Sequence, residues 1–148
     1  MKISPLTASD PRLDAWRAFL RAHARLTREL EHELQAEQSM ALADYDVLLQ
    51  LAVADEDRLR MSELADRILL SRSGITRLVD RLEAAGLVER VTCETDRRGQ
   101  WAKLTEAGRG RLREASPTHL RGVAEHFLDR IPADELDQLR ATLERVAR

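Results

Sequence analysis

Arg72, Ser73, Thr76, Arg77 and Arg81 are spaced so that they share one face of any helix that carries them. Guanidinium and hydroxyl groups pointing outward near a helix N-terminus suit a DNA major groove. Arginine forks onto guanine, and hydroxyls reach phosphates or base edges. Ser71, immediately before them, is placed to cap that helix and extend the same face. Further on, Arg97 and Arg98 stand together in Glu94-Thr95-Asp96-Arg97-Arg98-Gly99, a polar turn that ends in glycine. Adjacent arginines on a hairpin tip suit a narrow minor groove, where the negative potential is enhanced. A solvated surface face would carry the same residues on the helix, so the hairpin behind it is what favours DNA.

The elements that position these groups follow from periodicity. Ile75, Leu78, Val79 and Leu82 form an i, i+3, i+4, i+7 stripe that must face a core. Gly86 tolerates positive φ, so the helix should stop at about Ala85. Before it, Leu64, Ala65 and Ile68 predict a short helix that Ser62 could cap. After it, Leu87 to Thr92 and Gln100 to Leu104 alternate apolar and polar residues, as paired strands do. The stretch Met61 to Thr105 therefore reads as a helix-turn-helix followed by a β-hairpin.

The segment LVDRLEAAGLVER (residues 78–90), then Asp96-Arg97-Arg98, a five-residue strand and Leu104-Thr105, resembles the winged helix of the MarR family of transcription regulators. The resemblance implies a homodimer built by its N- and C-terminal helices, bound to double-stranded DNA at a palindromic operator. It implies that Arg98 enters the minor groove and that Asp96 braces the wing. It also implies a small aromatic or phenolic effector, bound between the dimer helices and the winged helix. Helix order would let Trp16, His23, Tyr45 and His119 line that pocket, and each reads equally well as plain core.

The remaining chain supplies the frame. Residues 1–11 contain two prolines and no periodicity, predicting a loosely held arm. Leu13, Trp16, Phe19, Leu20, His23, Leu26, Leu30 and Leu34 predict one long helix, followed by a loop over residues 35–43. Asp44 is a candidate cap for an apolar helix from Tyr45 to Ala54, and Leu59-Arg60-Met61 a candidate short strand. Thr105 should cap a helix from Glu106 toward Leu128, kinked or broken near Ala115-Ser116 by Pro117. Pro132 suits the first position of a last helix striped by Leu136, Leu139, Leu143 and Val146. The expected fold is mainly α with a small β-hairpin wing. A winged helix-turn-helix unit (44–116) lies inside one domain (12–148) whose outer parts (12–43 and 117–148) form a helical dimerisation part.

Composition bounds the alternatives. The 148 residues are 34% charged and only 3% aromatic, which suits helices rather than a sandwich. Net charge is −2, yet residues 71–104 carry seven basic and five acidic side chains and are net +2. A local patch suffices, because phosphate attraction decays within a Debye length. The overall negative balance keeps open a second reading, a winged-helix protein-interaction module without DNA affinity. One cysteine, Cys93, excludes a disulfide framework; Arg90 nearby could lower its pKa, although an inert thiol is the better reading. The histidines His23, His32, His119 and His126 lack i, i+4 spacing, so neither metal nor cofactor is expected. No catalytic constellation is visible, so no enzyme is expected. No apolar run of membrane-spanning length occurs, and a cytoplasmic protein is the default.

Overall fold

Helix α1 (Leu13–Gln38) opens the fold and exposes most of its length; of its residues only Leu34 is buried. The structure, a computed structural model, describes residues 7–68, 72–93 and 96–148, and of Arg72, Cys93, Asp96, Arg97 and Arg98 the backbone alone. Helix α1 overruns the expected loop by nearly a turn. It closes on Ser39, which takes the left-handed conformation (φ +50°) while its N–H bonds the Gln35 carbonyl. That close is normally a glycine's, so the sequence carried no stop signal there.

Helix α2 (Leu42–Ala52) buries Tyr45, Val47, Leu48 and Leu51 and forms the centre of the core. Ala41 rather than Asp44 stands at its N-cap, and Asp44 lies inside the first turn. The open Leu42 N–H is met instead by Glu31 of α1 at 2.7 Å. A 3-10 turn (Asp55–Asp57) leads into strand β1 (Arg58–Arg60), one residue earlier than expected. Met61 already begins helix α3 (Met61–Ile68), so Ser62 is not its cap. The cap contact comes from Glu63, whose carboxylate accepts the Arg60 N–H at 3.1 Å.

Helix α4 (Arg72–Ala84) ends as expected, with Gly86 at φ +75° turning the chain into strand β2 (Val88–Cys93). Strand β3 (Asp96–Leu104) begins earlier than alternation suggested, so the backbone of Asp96, Arg97, Arg98 and Gly99 is strand rather than turn. The three strands form an antiparallel sheet in the order β1-β3-β2, with an irregularity between Thr92 and Cys93. Alternation sends Leu59, Ala102, Leu104 and Val88 into the core and leaves Trp101 and Lys103 on the other face.

Helix α5 (Glu106–His126) starts from Thr105, whose hydroxyl accepts the Gly108 N–H at 3.0 Å and donates to the Gly86 carbonyl at 2.7 Å. It does not break at Pro117. Proline removes one helical bond, but Leu112, Ala115, Thr118 and Gly122 are buried, and packing along α1 holds the turn. Gly122 makes that packing close, since a Cβ there would lie 2.5 Å from Glu33 Oε2. A second 3-10 turn (Leu128–Arg130) precedes helix α6 (Leu136–Val146). Pro132 is not its first residue; it opens a turn in which the Glu135 N–H bonds the Pro132 carbonyl at 2.9 Å. No residue of α6 is buried.

Candidate nucleic-acid interface

The stripe read from the sequence is the buried side of α4. Ile75, Leu78, Val79 and Leu82 are all at most 4% exposed, while Ser73, Thr76, Arg77, Asp80 and Arg81 face outward. Burial on one side fixes the rotation of the helix, so the polar set has a single direction of presentation. Ser71 lies outside the described residues, as do the side chains of Arg72, Asp96, Arg97 and Arg98.

The outward residues are not equivalent. Arg81 pairs with Asp44 of α2 at 2.5 Å, so contact with DNA would require it to leave that carboxylate. Arg77 has no such ion pair among the described residues. Thr76 borders a shallow groove of about 360 Å³ together with Arg60, Ser62, Gly99 and Gln100. That groove joins the start of α3, the outer face of α4 and the base of the wing. Arg60, Ser62 and Gln100 escaped the sequence reading, because only the β1-β3 pairing, Arg60 opposite Trp101, brings them beside Thr76. Both Arg60 and Arg58 place their guanidinium groups over the Trp101 ring, at 5.0 and 5.3 Å from its centroid.

Arg90, on strand β2, reaches back to α4. Its guanidinium is committed to α4, reaching Asp80 at 2.6 Å and Glu83 at 3.0 Å, and its backbone N–H bonds Glu83 at 3.0 Å.

The four residues expected at an effector pocket fall into two groups. Trp16 stacks near Phe19 (6.1 Å between centroids), and Phe19 is 6.3 Å from His23, all on the exposed half of α1. With Trp16 56% exposed, this group is not domain core. Tyr45 and His119 instead stack on each other at 4.3 Å between α2 and α5. Burial holds the His119 imidazole below its usual pKa. No ring contact joins the two groups among the described residues. A different groove, about 450 Å³, lies between α1 and α2 and is lined by Ala24, Thr27, Arg28, Leu42, Asp46 and Ile68. There, burial raises the Asp46 carboxyl above the usual carboxylate range.

Apolar side chains cluster on the terminal helices. Trp16, Phe19 and Leu20 of α1, Leu120 of α5, and Leu143 and Val146 of α6 are all exposed. No described helix is long and apolar enough to cross a membrane.

The MarR family model matches residues 39–99. The structure of AbsC, a MarR family transcriptional regulator from Streptomyces coelicolor, is 36% identical with a TM-score of 0.88, covering 97% of this chain and 96% of that one. Sco3205, a MarR family regulator from the same organism solved in complex with DNA, is 34% identical with a TM-score of 0.88, covering 97% and 90%. The HTH-type transcriptional regulator MhqR of Bacillus subtilis is 34% identical over 86 residues, 58% of this chain. The matched region spans 59% of that relative's length.

Proposed function

The chain belongs to the MarR family, and we propose that it is a homodimeric, sequence-specific DNA-binding regulator of transcription that represses from a palindromic operator. The observation that carries the proposal is the one-sided burial of α4, which leaves Ser73, Thr76 and Arg77 facing outward. In this reading Ser71, Arg72, Ser73, Thr76 and Arg77 enter the major groove, with Arg81 joining if it releases Asp44. Arg97 and Arg98 reach the minor groove, and Asp96 braces the wing. The outer parts of the chain, 12–43 and 117–148, form the dimer and cover the exposed apolar side chains of α1, α5 and α6. The protein works in the cytoplasm and has no catalytic activity.

An aromatic carboxylate or phenol acts as effector in the groove between α1 and α2. Its volume of about 450 Å³ suits a one-ring compound. Arg28 is available there for a carboxylate, and the half-buried Asp46 carboxylate can accept from a phenol hydroxyl. The effector releases DNA by binding the DNA-free conformation better than the bound one.

The test is fluorescence anisotropy with a duplex from upstream of the protein's own gene and with a scrambled duplex. Specific binding about 10³-fold tighter than binding to the scrambled sequence is expected. Equal weak binding to both would overturn the proposal in favour of an interaction module.

A further inference from the structure

Glu33 of α1 meets Glu125 and His126 in the last turn of α5. One oxygen of each carboxylate and one imidazole nitrogen lie within 4.8 Å of one another. We propose that these three side chains are a divalent-cation site of the zinc class, fastening the end of α5 to α1.

The donor set comes from two helices, with Glu33 and His126 93 residues apart in the chain, so it is built by the fold rather than by local sequence. His126 Nε2 and Glu33 Oε1 are 2.6 Å apart, in a hydrogen bond between α5 and α1. Zinc ligands stand about 2.0–2.2 Å from the metal, which separates two tetrahedral ligands by roughly 3.4 Å. The ion thus takes the place of that hydrogen bond: the pair opens by under about 1 Å, and Glu125, within 4.8 Å of both, closes by at most about 1.4 Å.

An independent observation is the state of the other Glu33 oxygen. Oε2 is buried and has no hydrogen-bond partner among the described residues. A desolvated carboxylate oxygen without a partner is unfavourable, and a cation bound to the same carboxylate relieves it. Gly122 leaves room for that oxygen, because a Cβ there would lie 2.5 Å from Oε2. Arg121, the neighbouring cation that feels Glu33, is hydrogen-bonded to Glu37 at 2.5 Å.

The surroundings suit a positive ion. The C-terminal end of a helix carries the negative pole of its dipole, and α5 ends at His126. Glu125 is exposed, leaving one side open for water to complete the coordination. An imidazole beside two carboxylates favours zinc over magnesium, which prefers oxygen ligands and retained water. From the sequence no metal is expected, because its histidines lack i, i+4 spacing. This site uses a single histidine and two glutamates.

The test uses the untagged full-length protein, stripped with EDTA, in the absence of DNA, so its outcome is independent of the regulatory proposal. Calorimetric titration with ZnCl₂ should show one ion per chain, with a raised melting temperature and no matching effect from MgCl₂. CoCl₂ should give visible d–d bands. Glu125→Gln, at an exposed position, should weaken zinc binding about tenfold or more, and His126→Ala should abolish the cobalt bands. Wild-type protein that binds no stoichiometric zinc would overturn the site, as would zinc binding unchanged in both variants.

Discussion

Arg90 on strand β2 holds Asp80 on helix α4 at 2.6 Å, with Glu83 one turn further along α4 taking the same guanidinium at 3.0 Å. A single side chain thereby ties the base of the wing to α4. Its partners are largely exposed but the guanidinium itself is only 21% so, and the network is worth more than an isolated surface pair. Arg90→Ala is expected to lose about 1 kcal/mol of stability in urea denaturation. It should lose a larger factor in operator affinity, because wing and helix no longer dock together. Wild-type operator affinity in a variant that is measurably destabilised would refute the bracing role.

The helix and the wing should fail differently. Arg77→Ala, on the outward face of α4, should cost about 1–3 kcal/mol on the operator and little on random DNA. Arg98→Ala should weaken binding to both duplexes alike and flatten the log–log salt slope by about one unit. Asp96→Ala should behave as a milder form of Arg98→Ala. Salt titrations on operator and random duplexes measure all three. Equal losses for Arg77→Ala on both duplexes would mean that α4 grips only phosphates.

His119 gives stability a dependence on pH. Burial against Tyr45 depresses its pKa, so the unfolded chain binds the proton more readily than the folded one. The stabilisation is complete above the ordinary histidine pKa of about 6.5 and is lost as pH falls below it toward the depressed folded value. Melting temperatures taken from pH 7.5 to 5.5 should therefore fall less in His119→Phe than in the wild type. Parallel curves would show that His119 contributes nothing to the acid-side loss.

The apolar faces of the terminal helices test the dimer. Removing residues 135–148 deletes α6, with the exposed Leu143 and Val146, and in the proposed dimer would leave the apolar face they cover in water. Sedimentation at micromolar concentration should shift from dimer to smaller or aggregated species, with a lower melting temperature. An intact chain that sediments as a stable monomer would contradict the proposed assembly.

Local signals made the winged unit legible. The Ile75-Leu78-Val79-Leu82 stripe, the positive φ of Gly86 and the Thr105 cap are each written within a few residues. What escaped depends on partners far away or on exceptions to local preference. Ser39 closes α1 in a conformation normally left to glycine, and α5 continues through Pro117 because α1 supports it. The Arg81–Asp44 pair joins residues 37 apart, so no local signal announces it. The four residues expected at an effector pocket lie in two groups for the same reason. Helix order alone does not say that Tyr45 turns toward His119 while Trp16 and His23 remain on an exposed face.

Thr105 also bears on the order in which the chain folds. Its bond to Gly86 closes a loop of only 19 residues, whereas the Glu33–His126 contact that joins α1 to the end of α5 spans 93. By loop entropy the longer closure costs about 1.4 kcal/mol more, before any intervening structure shortens it. Once α4, the hairpin and the start of α5 are latched at Thr105, much of that separation is already bridged by rigid structure. The winged unit thus closes over a short loop and the α1–α5 packing over a long one. On loop entropy alone, the hairpin latch should form before the helices at the two ends of the chain meet.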